Sequence, residues 1–206
     1  MITVNLIANR AGHIVIDIDG KRMLVDTGAA RSFYDEYQGV HVTDLSRLMG
    51  VSLDGVLGMD GLQDKVMTLG KNRFHLTQAA PERVGAPLTY RSGIPCVDIK
   101  INEIPCVAAI ITGLTATYLP EELISRDKPS RLVDEINPLY GSFKVNTFVN
   151  FFSINDKNFF AGASALPDEF SVLSTTAIDV IIGTDLLNRF ELVMDFADNR
   201  LHLLSR

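Results

Sequence analysis

The residues of this chain that could do chemistry stand together in one short segment, Asp26-Thr27-Gly28. Two hydrophobic residues precede the segment and Ala29 follows it, so an extended strand runs into a tight turn. A carboxyl group held on such a turn can give a proton when protonated or take one when ionised. It can also serve the turn alone, by accepting backbone N–H groups. Asp26 is therefore the first candidate for an acid or a base.

The pattern around this segment returns later in the chain without the aspartate. Thr112 and Gly113 repeat the threonine and the glycine, but Ile111 occupies the position of the carboxylate. Residues 54–62 also match residues 179–187 without a gap. Residues 66–76 match residues 193–203 at six positions (Val, Met, Asn, Arg, His and Leu). A unit that occurs twice at unequal spacing predicts two related lobes rather than a solenoid.

Composition limits the class of protein. With 206 residues, the chain can bury a substantial core as one large domain or two small lobes. A net charge of −6 and scattered basic residues argue against nucleic-acid binding. No segment approaches the roughly 20 apolar residues of a membrane span, and the first residues do not resemble a signal peptide. We therefore expect no membrane span and, by default, a cytoplasmic protein.

Strand patterns dominate the chain and predict an all-β fold with a few short helices. The helices are predicted at residues 61–65, 120–126 and 186–190. Two prolines and a glycine with little periodicity predict a linker at residues 79–90. This divides the chain into a first unit, residues 1–78, and a second unit, residues 91–206.

The second unit is the longer one. Between Ile111 and Gly183 lie 71 residues, against 31 between Asp26 and Gly58. Seven of the eleven phenylalanines fall between Phe143 and Phe170, where two strand patterns flank a polar turn. The sequence predicts a hairpin here. It either packs on its own lobe, covers a cleft, or presents a surface to a partner.

These motifs resemble those of the aspartic peptidases, both the two-lobed pepsin type and the single-lobed retropepsin type. The resemblance rests on Leu24–Ala29, on the hydrophobic-hydrophobic-glycine segments Val56–Gly58 and Ile181–Gly183, and on the lead-in Ile94–Asn102. Together they span most of both units. The resemblance implies a two-lobed acid-protease β-barrel fold. It also implies an endopeptidase that acts on extended peptides and needs no cofactor or metal.

The resemblance also implies roles for single residues. In that family each lobe supplies one aspartate, the pair shares a proton, and a water between them attacks the peptide. The implied catalytic residues are Asp26, Thr27 and Gly28, and the implied substrate-binding residues are Ala29, Thr112 and Gly113. The threonines are expected to hydrogen-bond across the interface between the lobes.

Ile111 departs from the family pattern and leaves three interpretations. The two units can pair within one chain, so that Asp26 faces Ile111 in an enzyme with one carboxylate or in an inactive peptide- or protein-binding module. Alternatively, two chains can form a homodimer that brings two copies of Asp26 together, as retropepsins do. In the third interpretation Asp26 only stabilises its turn.

The remaining polar candidates are interpreted as structural. Metal binding is weighed against strand-end and helix N-cap roles for four aspartates, and the structural roles are favoured; they are Asp54, Asp60, Asp179 and Asp185. The repeat places His75 and His202 at equivalent positions, which favours packing or hydrogen bonding, whereas His13 and His41 belong to no recognisable pattern. Cys96 and Cys106 flank a predicted hairpin and are expected to be reduced core thiols rather than a disulfide.

Overall fold

The protein is built mainly from β-strands, which confirms the all-β prediction. A computed structural model describes residues 1–8, 12–70, 72–78, 85–125, 129–137, 141–155, 157–167, 177–185 and 189–205. The strands are β1 Ile2–Asn5, β2 Val15–Ile18, β3 Lys21–Val25, β4 Glu36–Tyr37, β5 Val40–His41, β6 Gly55–Leu57, β7 Val66–Leu69, β8 Arg73–Thr77, β9 Ala86–Arg91, β10 Ile94–Ile101, β11 Ile104–Ile110, β12 Tyr118–Leu119, β13 Pro129–Asn137, β14 Gly141–Ile154, β15 Lys157–Ala165, β16 Val180–Ile182, β17 Phe190–Asp195 and β18 Arg200–Ser205. The helices are α1 Val42–Met49, α2 Met59–Leu62 and a 3₁₀ turn at Glu121–Leu123.

Most of the described strands belong to one sheet of thirteen. Its order is β1-β8-β7-β17-β18-β9-β10-β11-β16-β12-β15-β14-β13. Strands β2, β3 and β6 form a separate three-stranded sheet, and β4 pairs with β5. The first six strands of the large sheet come from the beginning, the middle and the end of the chain. The two units are therefore joined by backbone hydrogen bonds.

Part of the segment predicted as a linker is a strand. Residues 86–91 form β9, which pairs antiparallel with β18 on one side and with β10 on the other. Residues 79–84 lie outside the described part of the chain. Of the residues that suggested a linker, Pro87 lies within β9 and does not prevent pairing, since the residues on either side of it pair with β18.

The helices follow the sequence only in part. Helix α1 was not predicted, although Val42, Leu45 and Met49 form its buried face and Gly50 ends it with a left-handed φ of 66°. Helix α2 begins two residues before the predicted segment 61–65. The 3₁₀ turn lies within the predicted segment 120–126, and residues 186–188 of the third predicted helix are outside the described residues. Among the described residues, no helix has the length and apolar character that crossing a membrane requires.

The phenylalanine-rich segment forms the predicted hairpin, with β14 and β15 paired antiparallel. One face is buried: Phe152 stacks on Phe159, and Phe159 meets Phe190 edge-on with ring centroids 4.8 Å apart. On the other face Phe151 contacts Phe160, whose side chain is 56% exposed. The hairpin thus packs on the core with one side and leaves an apolar pair on the other.

The two cysteines lie on neighbouring strands, Cys96 on β10 and Cys106 on β11. Both are buried free thiols, as expected, and form no disulfide with each other. Burial raises the pKa of both thiols, which disfavours the reactive thiolate.

Candidate functional site

Two parallel strand pairs bring the repeated segments to equivalent places. Strand β3 pairs with β6, so that Val25 lies beside Leu57, and β11 pairs with β16, so that Ile110 lies beside Ile182. The residues that follow β3 and β11 form equivalent backbone hydrogen bonds to the paired strands. The N–H of Asp26 donates to the Leu57 carbonyl at 3.0 Å, and the N–H of Ile111 donates to the Ile182 carbonyl at 2.9 Å. Asp26 and Ile111 are therefore structural equivalents.

Thr27 and Thr112 hold the two turns against each other through four buried hydrogen bonds. The Thr27 hydroxyl donates to the Ile110 carbonyl at 2.6 Å and accepts the Thr112 N–H at 3.0 Å. The Thr112 hydroxyl donates to the Val25 carbonyl at 2.9 Å and accepts the Thr27 N–H at 3.0 Å. Each bond of one turn has its counterpart in the other, so the turns are related by an approximate twofold axis.

The Asp26 carboxyl contacts the second turn. Its Oδ1 accepts the N–H of Gly28 at 2.8 Å and that of Gly113 at 3.2 Å. Burial raises the pKa of Asp26, and these two hydrogen bonds offset part of that rise. Gly28 and Ala29 remain half-buried beside it, and the Ala29 N–H closes the turn onto the Asp26 carbonyl at 3.2 Å. The predicted site residues are thus brought together around one carboxyl group.

Ile111 faces the site from a hydrophobic cluster of the second unit. Its side chain packs among residues that include Leu114 and Ile181. It also lies against the first turn, because a Cβ added to Gly28 would come within 2.9 Å of its Cγ2. Among the described residues the position opposite Asp26 is therefore filled by hydrocarbon, and no second carboxylate stands there.

A second tier of hydrogen bonds supports each turn, and sequence reasoning missed it. The Ser32 hydroxyl donates to Asp60 at 2.6 Å and accepts the Gly58 N–H at 3.0 Å. The second unit repeats this arrangement with Thr117, Asp185 and Gly183. The signal was present, since Ser32 and Thr117 both carry hydroxyls and are 85 residues apart, as are Thr27 and Thr112.

All four paired aspartates accept hydrogen bonds within the fold, but Asp60 is not the helix N-cap that its position suggested. Helix α2 has Gly58 at its N-cap and no side-chain cap. Asp60 instead serves Ser32, whose hydrogen bonds hold the pKa of Asp60 below its usual value although burial opposes them. Asp54 and Asp179 each accept a backbone N–H from a neighbouring strand, at Arg22 and Val107. Among the described residues no group of three or more His, Cys, Asp or Glu is placed to hold a metal.

Strand β13 is tied to the second turn by a buried glutamate. Thr115 lies two residues after Gly113, and its hydroxyl donates to the Glu135 carboxyl at 2.8 Å. Burial raises the pKa of Glu135, and the hydrogen bonds from Thr115 offset part of the rise. The hairpin of β13 and β14 is thereby fixed beside the site.

The histidines occupy four different environments. His41 is exposed and precedes α1, and His75 bonds to the hydroxyl of Thr3 at 3.0 Å. His202 is buried in β18. His13, which the sequence left unassigned, is only 3% exposed and interacts with the backbone of Gly113 at the site.

Comparison with known proteins assigns no function to this arrangement. No protein-family model matches the chain, and no curated protein matches it. The functional argument therefore rests on the geometry of the paired turns.

The raised pKa of Asp26 has a consequence for stability. The unfolded carboxyl titrates near its ordinary value, about 3.9, whereas the folded one holds its proton to higher pH. Between these two values the folded state binds more protons, so this group makes the free energy of unfolding fall as pH rises. We expect Asp26→Asn to remove that fall. Urea denaturation of both proteins at several pH values checks this, and parallel pH profiles would contradict it.

Gly113 leaves no room for a side chain. A Cβ there would collide with the Asp26 carboxyl, which lies against the glycine. We expect Gly113→Ala to displace Asp26 and to lower the free energy of unfolding by about 1–3 kcal/mol. Gly70→Ala is the matched control, because its new Cβ would meet mainly the flexible end of Glu191, at 3.3 Å. Thermal denaturation of the two variants makes the comparison, and equal stability would contradict the geometry.

Proposed function

We propose that this chain is an aspartic-peptidase-type protein that binds an extended peptide across its paired turns, with Asp26 at the centre of the bound segment. The observation that carries the proposal is the reciprocal exchange between Thr27 and Thr112. Holding two loops in this way costs backbone freedom. Among the described residues of the two turns, 26–29 and 111–114, Asp26 carries the one ionisable side chain, and it is partly exposed.

The chemistry of Asp26 suits recognition of a peptide backbone. Because burial raises its pKa, the carboxyl stays protonated to higher pH than an ordinary aspartate. A neutral carboxyl offers an O–H donor to a peptide carbonyl. Gly28 and Ala29 are small and half-buried beside it, so an extended backbone can approach closely.

Within one chain the family's two-carboxylate hydrolysis has no second carboxylate, since Ile111 fills that position. A homodimer built on two copies of Asp26 would first have to break the four hydrogen bonds that tie each first turn to its own second turn. The geometry therefore favours a site complete in one chain over an intermolecular pair.

An interaction module is the other class that the same fold can serve. The observation that favours it is the apolar pair on the outer face of the hairpin, Phe151 and Phe160, with Val149 half exposed on the same strand. The two functions use different surfaces. A substitution at Asp26 distinguishes them, because it should weaken peptide binding at the paired turns and leave partner binding at the hairpin unchanged.

Binding of a fluorescently labelled peptide that contains a statine hydroxyl tests the proposal. Fluorescence anisotropy should show that the wild-type chain binds it and that Asp26→Ile weakens binding about tenfold or more, the equivalent of one lost hydrogen bond. Asp26→Asn should bind within a few-fold of wild type, because the amide keeps an acceptor and a donor in place.

Asp98→Ile is the control for adding an isoleucine, since Asp98 is exposed on β10. Circular dichroism confirms that each variant is folded. Failure of the wild-type chain to bind, or equal binding by Asp26→Ile, would overturn the proposed function.

A further inference from the structure

An open groove of about 780 Å³ lies beside β1, an edge strand of the large sheet. It is lined by residues 3–7 and by Asp17, Arg22 and Arg73, which lie on β2, β3 and β8. No residue of the paired turns lines it. Arg22 precedes Asp26 by four residues of extended chain, which corresponds to roughly 13 Å. The groove is therefore separate from the site at Asp26.

The backbone of β1 has hydrogen-bonding groups that face away from the large sheet. Among the described strands, β1 pairs only with β8. The Leu6 N–H donates to the Asn72 carbonyl at 3.0 Å, and bonded pairs alternate with non-bonded pairs along an antiparallel ladder. Val4 therefore bonds to β8, whereas the N–H and C=O groups of Thr3 and Asn5 point away from it. Both residues line the groove, so their backbone groups can pair with an added strand.

Two arginines give the same groove a positive charge. Arg22 and Arg73 are exposed, and neither forms an ion pair with a described residue. Of the described residues that line the groove, Asp17 alone is acidic, and its Oδ1 accepts the Gly20 N–H at 2.9 Å within its own hairpin. Guanidinium groups bind carboxylates through short, charge-assisted hydrogen bonds. The side chains of the groove therefore suit an acidic ligand.

We propose that this groove binds an extended peptide with an acidic side chain, as a strand added to the free edge of β1. The peptide backbone pairs with the outward N–H and C=O groups of Thr3 and Asn5. The peptide carboxylate lies against Arg22 and Arg73. This site goes beyond the proposed function and does not depend on it, because Asp26 takes no part in the binding.

An acidic peptide fits the groove better than two other occupants. A second copy that paired through its own β1 would bring no carboxylate on that strand, since Ile2–Asn5 contains no acidic residue. A small anion would bind the arginines but would not pair with the row of backbone groups at Thr3 and Asn5. An extended acidic peptide uses both features of the groove.

Amide NMR spectra of the full chain test the proposal, with the pentapeptide Thr-Val-Glu-Val-Thr, acetylated and amidated, as the probe. Its β-branched residues favour an extended backbone, and the same peptide with Gln in place of Glu is a neutral control. We expect the Glu peptide to shift the amide signals of Thr3 and Asn5. It should bind about tenfold more tightly than the Gln peptide, since hydrogen bonds to a charged group are the stronger ones.

Variants of the full chain test the two arginines. Arg22→Gln and Arg73→Gln should each weaken binding of the Glu peptide by about tenfold. Arg131→Gln is the matched control and should bind within about twofold of the wild type. Arg131 is exposed on β13, at the opposite edge of the same sheet, and forms no ion pair with a described residue. Asp26→Ile should bind the Glu peptide as the wild type does, so this result is independent of the proposed function.

Equal binding of the two peptides, or wild-type binding by both groove variants, would overturn the proposal. Shifts confined to the amides of Gly28 and Gly113 would overturn it too, because they would place the peptide at the paired turns. Acetate that reproduces the shifts and the affinity would identify a small-anion site instead. If the Thr3 and Asn5 signals change with protein concentration in the absence of peptide, a second copy covers the edge and the proposal is wrong.

Discussion

Replacing Ile111 by aspartate should create an acid-active peptidase with two carboxylates in a single chain. Ile111 occupies the position equivalent to Asp26, and its backbone already makes the equivalent hydrogen bond, to Ile182. Thr112 and Gly113 complete the second turn. The second turn therefore differs from the first mainly in lacking a carboxyl group at position 111.

The new carboxylate would stand close to Asp26, so the two cannot both ionise and one must keep its proton. We expect Ile111→Asp to cleave peptides at acidic pH about 100-fold faster than Ile111→Asn, the contribution typical of one acid–base group. A statine peptide should inhibit that cleavage. The asparagine variant is the matched control, because it has the same shape and cannot titrate.

Cleavage is measured with an unfolded protein substrate between pH 3 and 7, with circular dichroism to confirm that both variants are folded. Equal rates in the two variants would show that position 111 does not reach the site, and would contradict the equivalence of the two turns.

Replacing Thr27 by valine should cause a large loss of stability. Valine has the same shape but no hydroxyl, so the Ile110 carbonyl and the Thr112 N–H would lose their partners in a region where Thr27 is fully buried. Each unsatisfied buried group costs about 1–3 kcal/mol. We expect Thr27→Val to lower the free energy of unfolding by about 2–5 kcal/mol.

Thr112→Val should cost a similar amount, because its hydroxyl makes the equivalent two bonds, to Val25 and Thr27. Thr27→Ser keeps the hydroxyl and is the control. Urea denaturation measures all three. A valine variant as stable as its serine counterpart would show that the exchange does not hold the turns together.

Much of the fold follows from local patterns in the sequence. Alternating and apolar runs predicted the strands, and the duplication predicted that Asp26 and Ile111 would be equivalent. The phenylalanine-rich hairpin was predicted from two strand patterns around a polar turn. The strands and the hairpin are set by residues close together in the chain, where side-chain periodicity has a direct structural meaning.

The features that sequence reasoning missed depend on residues far apart in the chain. The contact of His13 with Gly113 joins positions 100 residues apart, and no local pattern marks His13. Strand β9 pairs with β18, which lies near the other end of the chain. Because that partner is distant in sequence, the local proline and glycine pattern suggested a linker instead. Helix α1 has one buried face of three residues, which a short amphipathic pattern specifies only weakly.

A crystal structure of the wild-type chain with a bound statine peptide tests the account most directly. The account expects the peptide to lie extended across the paired turns of a single chain. The statine hydroxyl should be within hydrogen-bonding distance of the Asp26 carboxyl, about 2.5–3.0 Å, with Ile111 on the other side. A hydroxyl held between Asp26 residues of two chains, or a peptide bound away from Asp26, would contradict it.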